Sequence, residues 1–452
     1  MRERLSEQLE GALQVTVVAL VLAVAFVASH IQPWNLPSFR PIRTFVLFEL
    51  AALALAYAVV TRARIRRLPG ALVVGAFTAL ALLSTAWSAR PELTVERGVG
   101  FAALIVAAGA LALGTVGRPR VAGQLMLALL AATVLIALGG VVELWHSRDQ
   151  AILPATKGQG ARYNGIGQNP NQVAMLIALT LPFAVWAIRR TTGRLRPGAW
   201  FAALLLTGSL VASGSRGAVI AAFAGCLVYL LAVVQSRRVA VAALVTVAFV
   251  TAIAVTQLPQ PAKVNPVLYE RFGQTPELSP QDLNGGLPLE SEFGFPGENV
   301  ETGDTRTLFF SSGRFDAWQL ALDQGLRRPV GGYGFGTEDE TFVDRSYLFV
   351  SRQVENSFIG VFLQLGAVGA VLLVAALALP TVAWVRSRSA LEAESRQNAA
   401  ACAGAVVAGI ALAVPQSYLT AVGSPPTAPF WIALFLLGAL VHGRGLTEVR
   451  SA

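Results

Sequence analysis

Four polar stretches of this 452-residue chain hold side chains able to bind an anion or move a proton. RYNGIGQNPN carries Arg162, Asn169 and Asn171; SGSRG carries Ser215 and Arg216; SGRFDAW carries Arg314, Asp316 and Trp318; ENSFIGVFLQLGAVGA carries Glu355 and Asn356, then Gly366 and Gly369. The planar fork of arginine grips two phosphate oxygens at once, and a carboxylate can take a proton from a hydroxyl. Each stretch also has a plainer explanation. Asn-Pro-Asn reads as a turn and helix cap. Arg216 suits an arginine snorkelling to headgroups, and SGRFDAW suits a salt-bridged helix start. Glu355 fits the positive end of a helix dipole, and the two glycines fit close helix packing. Taken together, three arginines and one carboxylate make a site for a lipid pyrophosphate with a base beside it, provided the intervening chain brings them to one face.

The intervening chain is apolar. Hydrophobic residues make up 54% and charged residues 13%, about half the charged share of a soluble domain, and the mean hydropathy is +0.59. About 20 apolar residues cross a bilayer as a helix, and the short alternating segments of a membrane barrel are missing. The reading is an all-α polytopic membrane protein. Helices are expected near 11–29, 43–60, 69–88, 98–116, 120–142, 172–188, 198–213, 215–235, 239–257, 356–379, 400–418 and 427–442. The first is read as a membrane helix rather than a cleaved signal, because more spans follow at once. With the N-terminus inside, 19 of the 35 basic residues fall on inside segments and 8 on the short outside loops, which satisfies the positive-inside rule. About twelve transmembrane helices follow, with both termini cytoplasmic. The chain divides into helices 1–9 (1–257), one large extracytoplasmic (periplasmic) loop (258–355) and helices 10–12 (356–452). Residues 275–305, rich in Gly and Pro, read as irregular. Phe315, Trp318 and Leu322 lie at helical spacing and suggest a short amphipathic helix.

Several functions are disfavoured. Cys226 and Cys402 lie inside apolar blocks and form no disulfide framework or metal spacing. The net charge of +9 is explained by basic loops at a membrane surface, without nucleic acid. No Walker or dinucleotide motif appears, and no cofactor is expected. The acidic run Glu338, Asp339, Glu340 is the one hint of a metal, and no metal site is assigned to it.

Beyond these readings, the stretches LSTAWSARPELTVERG, RYNGIGQNPN, SGSRG, SSGRFDAW, PVGGYGFGT and the tenth helix resemble the bacterial O-antigen ligase and polymerase family of membrane glycan transferases. The ligase pattern is His, then Asn/Ser/Gln, nine residues, and Gly-x-x-Gly. Asn356, Gly366 and Gly369 keep that spacing, and Glu355 stands where the pattern has histidine. Glutamate has a reference pKa of about 4.3 and is a weak base. Burial would raise it, while Arg345 or Arg352 nearby would oppose the rise. Either Glu355 is a tuned base or it only orients the acceptor, and the change leaves room for the polymerases. The resemblance implies a fold like the C-type glycosyltransferases and an inverting, metal-independent transfer in the bacterial inner (cytoplasmic) membrane. The glycan would move from undecaprenyl pyrophosphate to an acceptor on the outer face. It assigns Arg216 and Arg314 to the pyrophosphate, Arg162 to carrier or glycan positioning, and Glu355 with Asn356 to the acceptor; Asn169, Asn171, Ser215 and Trp318 join the substrate site. The expected partners are the lipid-linked glycan donor, a lipid or glycan acceptor and membrane lipids. A ligase acting on lipid A-core is the first reading, and an O-antigen or exopolysaccharide polymerase the second. A polysaccharide transporter or flippase is the reading from another class; the lack of related halves and the one-sided polar clusters favour an enzyme.

Overall fold

The computed structural model describes residues 2–29, 39–62, 68–153, 161–167, 169–233, 314–342 and 353–442. The helix expected at 239–257, the stretch 275–305, Arg345 and Arg352 lie outside these residues. The chain is an integral membrane protein built of apolar helices. These are α1 (Arg2–Ser29), α2 (Arg40–Val60), α3 (Ala71–Leu83), α4 (Pro91–Thr115), α5 (Pro119–His146), α7 (Pro170–Arg190), α8 (Arg196–Ala212) and α9 (Arg216–Val233), followed by α12 (Ser357–Ser387), α13 (Ala393–Ala413) and α14 (Thr427–His442). Eight helices among the described residues are long and apolar enough to cross a bilayer, and two further apolar helices are shorter. Their starts obey local chemistry. Proline opens α4, α5 and α7 at a first-turn position where its missing N–H costs nothing. The helices run further than expected at their polar ends: α1 begins at Arg2 and α4 at Pro91, because a helix satisfies its own backbone whether or not its first turns are apolar.

Small residues let the bundle close. Gly225 of α9 and Gly404 of α13 lie face to face; a Cβ on either would come 2.5 Å from the other's carbonyl oxygen. Cys226 and Cys402 are buried free thiols in these same two helices. At one end, Asn398 of α13 is fully buried and ties three elements. It accepts from Trp186 Nε1 (3.0 Å) and Arg190 Nη1 (3.4 Å) and donates to the Pro119 carbonyl (2.7 Å).

The other end, here the site end, gathers the short elements. A one-turn helix α6 (Arg148–Ala151) leads into strand β1 (Ile152–Leu153), which pairs antiparallel with β2 (Arg162–Tyr163), Leu153 opposite Arg162. Helix α10 (Arg314–Gly325) and the one-turn α11 (Glu338–Thr341) flank the GGYGFGT segment. The amphipathic helix exists, but its buried face is not the expected one. Phe315 is 63% and Leu322 41% exposed, and Ala317 and Ala321 are buried against Phe342, Val354 and Leu363. Small side chains let α10 sit close to α12; Phe315 and Leu322 are turned outward, and Trp318 packs partly buried against the same cluster.

Helix α12 is broken where Gly366 adopts φ 62°, ψ −163°, a conformation open essentially to glycine alone. The break frees backbone groups that the PVGGYGFGT segment takes up. Tyr333 N donates to Leu363 O (3.1 Å), Gly334 N to Gln364 O (2.8 Å) and Ala367 N to Pro329 O (2.7 Å). The segment then drives Phe335, fully buried, against Phe101 at a ring separation of 5.3 Å. Trp87 Nε1 donates to Gly331 O (2.9 Å) and Phe335 N to Ser84 Oγ (2.9 Å), which fixes the segment to the end of α3.

Candidate active site

Arg162 opens β2 and is buried, with 8% of its surface exposed. Its Nε donates to the Ser213 carbonyl (2.8 Å) and its Nη2 to Asn171 Oδ1 (2.6 Å). It therefore braces the first turn of α7 against the tight Ser213–Gly214–Ser215 turn between α8 and α9. Asn169 caps α7, its Oδ1 accepting from Asn171 N at 2.9 Å, so the plainer reading of Asn169 holds locally. Ser215 is buried, and its N donates to Ser213 Oγ at 3.2 Å. The next residue, Arg216, begins α9.

The three arginines come together although 54 and 98 residues separate them in turn. Burial, then repulsion from Arg314 and from Arg216, lowers Arg162 to about 10. Arg216 and Arg314 also feel each other's charge. Arg162 keeps its proton at neutral pH, so the described site holds a concentrated positive charge. Such a charge calls for an anion.

Glu355 faces this cluster. Arg314 donates to its Oε2 through both Nη2 (2.6 Å) and Nε (2.9 Å). The two residues that the sequence assigns to separate tasks are thus an ion pair, with side chains 20% and 18% exposed. Glu355 has φ +51°; among the described residues only Arg62 shares a positive φ without being glycine. Asn356 caps α12, its Oδ1 accepting from Phe358 N and Ile359 N at 3.0 Å each. Trp318 Nε1 donates to the Val354 carbonyl (3.1 Å), and its ring packs edge-on to Phe315. In this structure Trp318 holds the chain beside Glu355.

The acidic run divides three ways. Asp339 receives both terminal nitrogens of Arg97 (2.6 and 2.8 Å). Glu340 lies 3.6 Å from Arg90. Glu338 turns inward and is buried. No group of three metal-ligating side chains occurs among the described residues.

The O-antigen ligase family model matches residues 201–374. That stretch, less than half of the chain, is similar to the O-antigen ligase family. It begins in α8 and ends in α12 beyond Gly369, and contains Arg216, Arg314, the GGYGFGT segment, Glu355, Asn356 and the Gly366 break. Arg162, Asn169 and Asn171 precede it. No curated protein matches the chain. The family points to a glycosyltransferase-like enzyme with lipid-linked glycan partners.

Two participants escaped sequence reasoning. Gln364, inside an apolar run, accepts from Gly336 N (2.7 Å) through Oε1 and donates to Glu338 Oε2 (3.1 Å) through Nε2. Ser417, beyond α13, accepts from Asn356 N (3.0 Å) and donates to Glu338 Oε1 (2.8 Å). The one legible signal was a polar Gln364 within the glycine-rich start of α12.

Proposed function

We propose that this protein transfers a glycan from undecaprenyl pyrophosphate to an acceptor hydroxyl on the outer face of the bacterial inner membrane, as an O-antigen ligase with lipid A-core as acceptor. One observation carries the reading: three arginines from separate elements share one positive site, and a carboxylate lies directly on one of them. Arg216 and Arg314 stabilise the charge that develops on the leaving pyrophosphate. Arg162, with two donors already engaged, holds the turn that presents Arg216. While paired with Arg314, Glu355 has its Oε2 occupied by two guanidinium N–H groups. Once the pyrophosphate draws Arg314 toward itself, the Glu355 carboxylate is free to take the acceptor proton as the hydroxyl attacks the sugar carbon and the carbon–pyrophosphate bond breaks. The donor thereby prepares the base, and donor binds before acceptor. The step inverts the sugar carbon, and all its charge handling comes from side chains, so no metal is required.

The test uses purified protein in liposomes with an undecaprenyl-pyrophosphate oligosaccharide, with and without lipid A-core. Product that appears only with the core supports the ligase; longer glycans on the carrier alone establish a polymerase instead. Arg216→Ala or Arg314→Ala should abolish transfer while the protein still inserts. Full activity in either variant refutes the assignment, and activity lost to a chelator refutes metal independence.

A further inference from the structure

Glu355 sits in a backbone conformation that a side chain resists, so something must hold it there. A non-glycine residue in the left-handed region is strained and persists only where its surroundings over-determine it. The peptide groups on either side of Glu355 are both tethered. Val354 N donates to Glu338 Oε1 (2.7 Å), and the Val354 carbonyl accepts from Trp318. Asn356 N donates to Ser417 Oγ (3.0 Å), and that hydroxyl donates to the same Glu338 Oε1 (2.8 Å). Ser417 is itself kept in place because Ser357 Oγ and N both donate to the neighbouring Gln416 carbonyl (2.7 and 3.1 Å). The other carboxylate oxygen, Oε2, accepts from Gln364 Nε2 (3.1 Å). Gly360 makes room for it, since a Cβ there would lie 2.6 Å from Oε2.

We propose that Glu338 is a positioning residue for Glu355: by taking the N–H before it directly and the N–H after it through Ser417, one buried carboxylate holds Glu355 in its left-handed conformation with its side chain on Arg314. A buried carboxylate costs desolvation, and the three donors aimed at it offset part of that cost. An amide at the same position cannot reproduce this. Its NH2 would face the Gln364 NH2, and Gln364 cannot turn over because its Oε1 already accepts from Gly336 N. The importance of this geometry for catalysis rests on the function proposed above; the geometry itself does not.

The experiment measures thermal unfolding of the full-length chain in nanodiscs. Glu355→Ala and Glu355→Gly both lose the carboxylate, and only the former carries a Cβ at the positive φ. In the wild-type background Glu355→Ala should unfold at the lower temperature. Adding Glu338→Gln should close or reverse that gap, because the relaxed backbone no longer favours glycine. Ser417→Ala, which removes one link only and leaves the carboxylate in place, should narrow it. Gln364→Glu added to Glu338→Gln should restore the gap, since the new amide donates to the new carboxylate and Gly336 N keeps an acceptor. A gap that survives Glu338→Gln, or no gap at the outset, overturns the proposal. The second readout is transfer. Glu338→Gln should lose roughly 10- to 100-fold in kcat through misplacement of Glu355, and Gln364→Glu should recover it. If the gap closes while kcat stays at the wild-type value, the positioning stands and the role of Glu355 in transfer falls.

Discussion

The ion pair between Arg314 and Glu355 leads to a prediction with an unusual sign. Glu355→Gln should abolish transfer and at the same time tighten binding of the donor. The pyrophosphate must draw off a guanidinium whose Nη2 and Nε both rest on Glu355 Oε2, at 2.6 and 2.9 Å. Both side chains keep about a fifth of their surface exposed, so the pair lies between a surface bridge, worth at most about 1 kcal/mol, and a buried one, whose breaking costs about 3–5 kcal/mol. Glutamine still offers its amide oxygen to Arg314 and so recovers part of the interaction. The net saving on donor binding is then about 1–1.5 kcal/mol, or roughly 5- to 12-fold in Kd. The assay is direct binding of undecaprenyl pyrophosphate to protein in nanodiscs at fixed ionic strength, because exposed charges are screened by salt. Arg216→Ala, measured beside it, should bind more weakly. Unchanged or weaker binding in Glu355→Gln would show that the donor does not compete with the carboxylate for Arg314, and the donor-first order would fall with it.

Three further outcomes test the framework. Gly366→Ala should destabilise the fold by roughly 3–7 kcal/mol, from left-handed strain plus the three backbone bonds of the GGYGFGT segment, since its Cβ would come 2.2 Å from the Val330 carbonyl oxygen; Gly208→Ala, with nothing within 4 Å, is the neutral control, and equal melting temperatures would mean α12 is unbroken. Asn398→Ala should cost about 2–4 kcal/mol by stranding the Trp186 N–H and, lying at the opposite end of the bundle, leave turnover per folded molecule unchanged. Burial pushes Glu338 up from 4.5 to about 7, against the three hydrogen bonds it accepts. Because the unfolded chain gives up this proton first, the group's contribution to stability is greatest below pH 4.5, declines as pH rises to about 7 and is flat above. Melting temperature of wild type relative to Glu338→Gln should therefore fall across that window, and a constant difference would refute the assignment.

Hydropathy and arginine distribution were enough to read the membrane class and most spans, because a helix in lipid must satisfy its own backbone and its apolar length is written in consecutive residues. The arginine motifs were legible too, each as a polar interruption at a helix end, and the plainer readings of Asn169 and Asn356 as caps depend only on residues two or three positions away. What the sequence could not express was which long-range partner each side chain meets. The pairing of Arg314 with Glu355 spans 41 residues. The inward turn of Glu338, while Asp339 and Glu340 turn to Arg97 and Arg90, depends on α11 docking beside α12. The burial of Ala317 and Ala321 in place of Phe315 and Leu322 follows from how closely α10 approaches that helix. At the break at Gly366, one residue's freedom to take a positive φ lets a distant segment hydrogen-bond into α12. The types and spacing of residues set what the site can do. The three-dimensional convergence of distant segments, which no local pattern encodes, decided which groups act on one another.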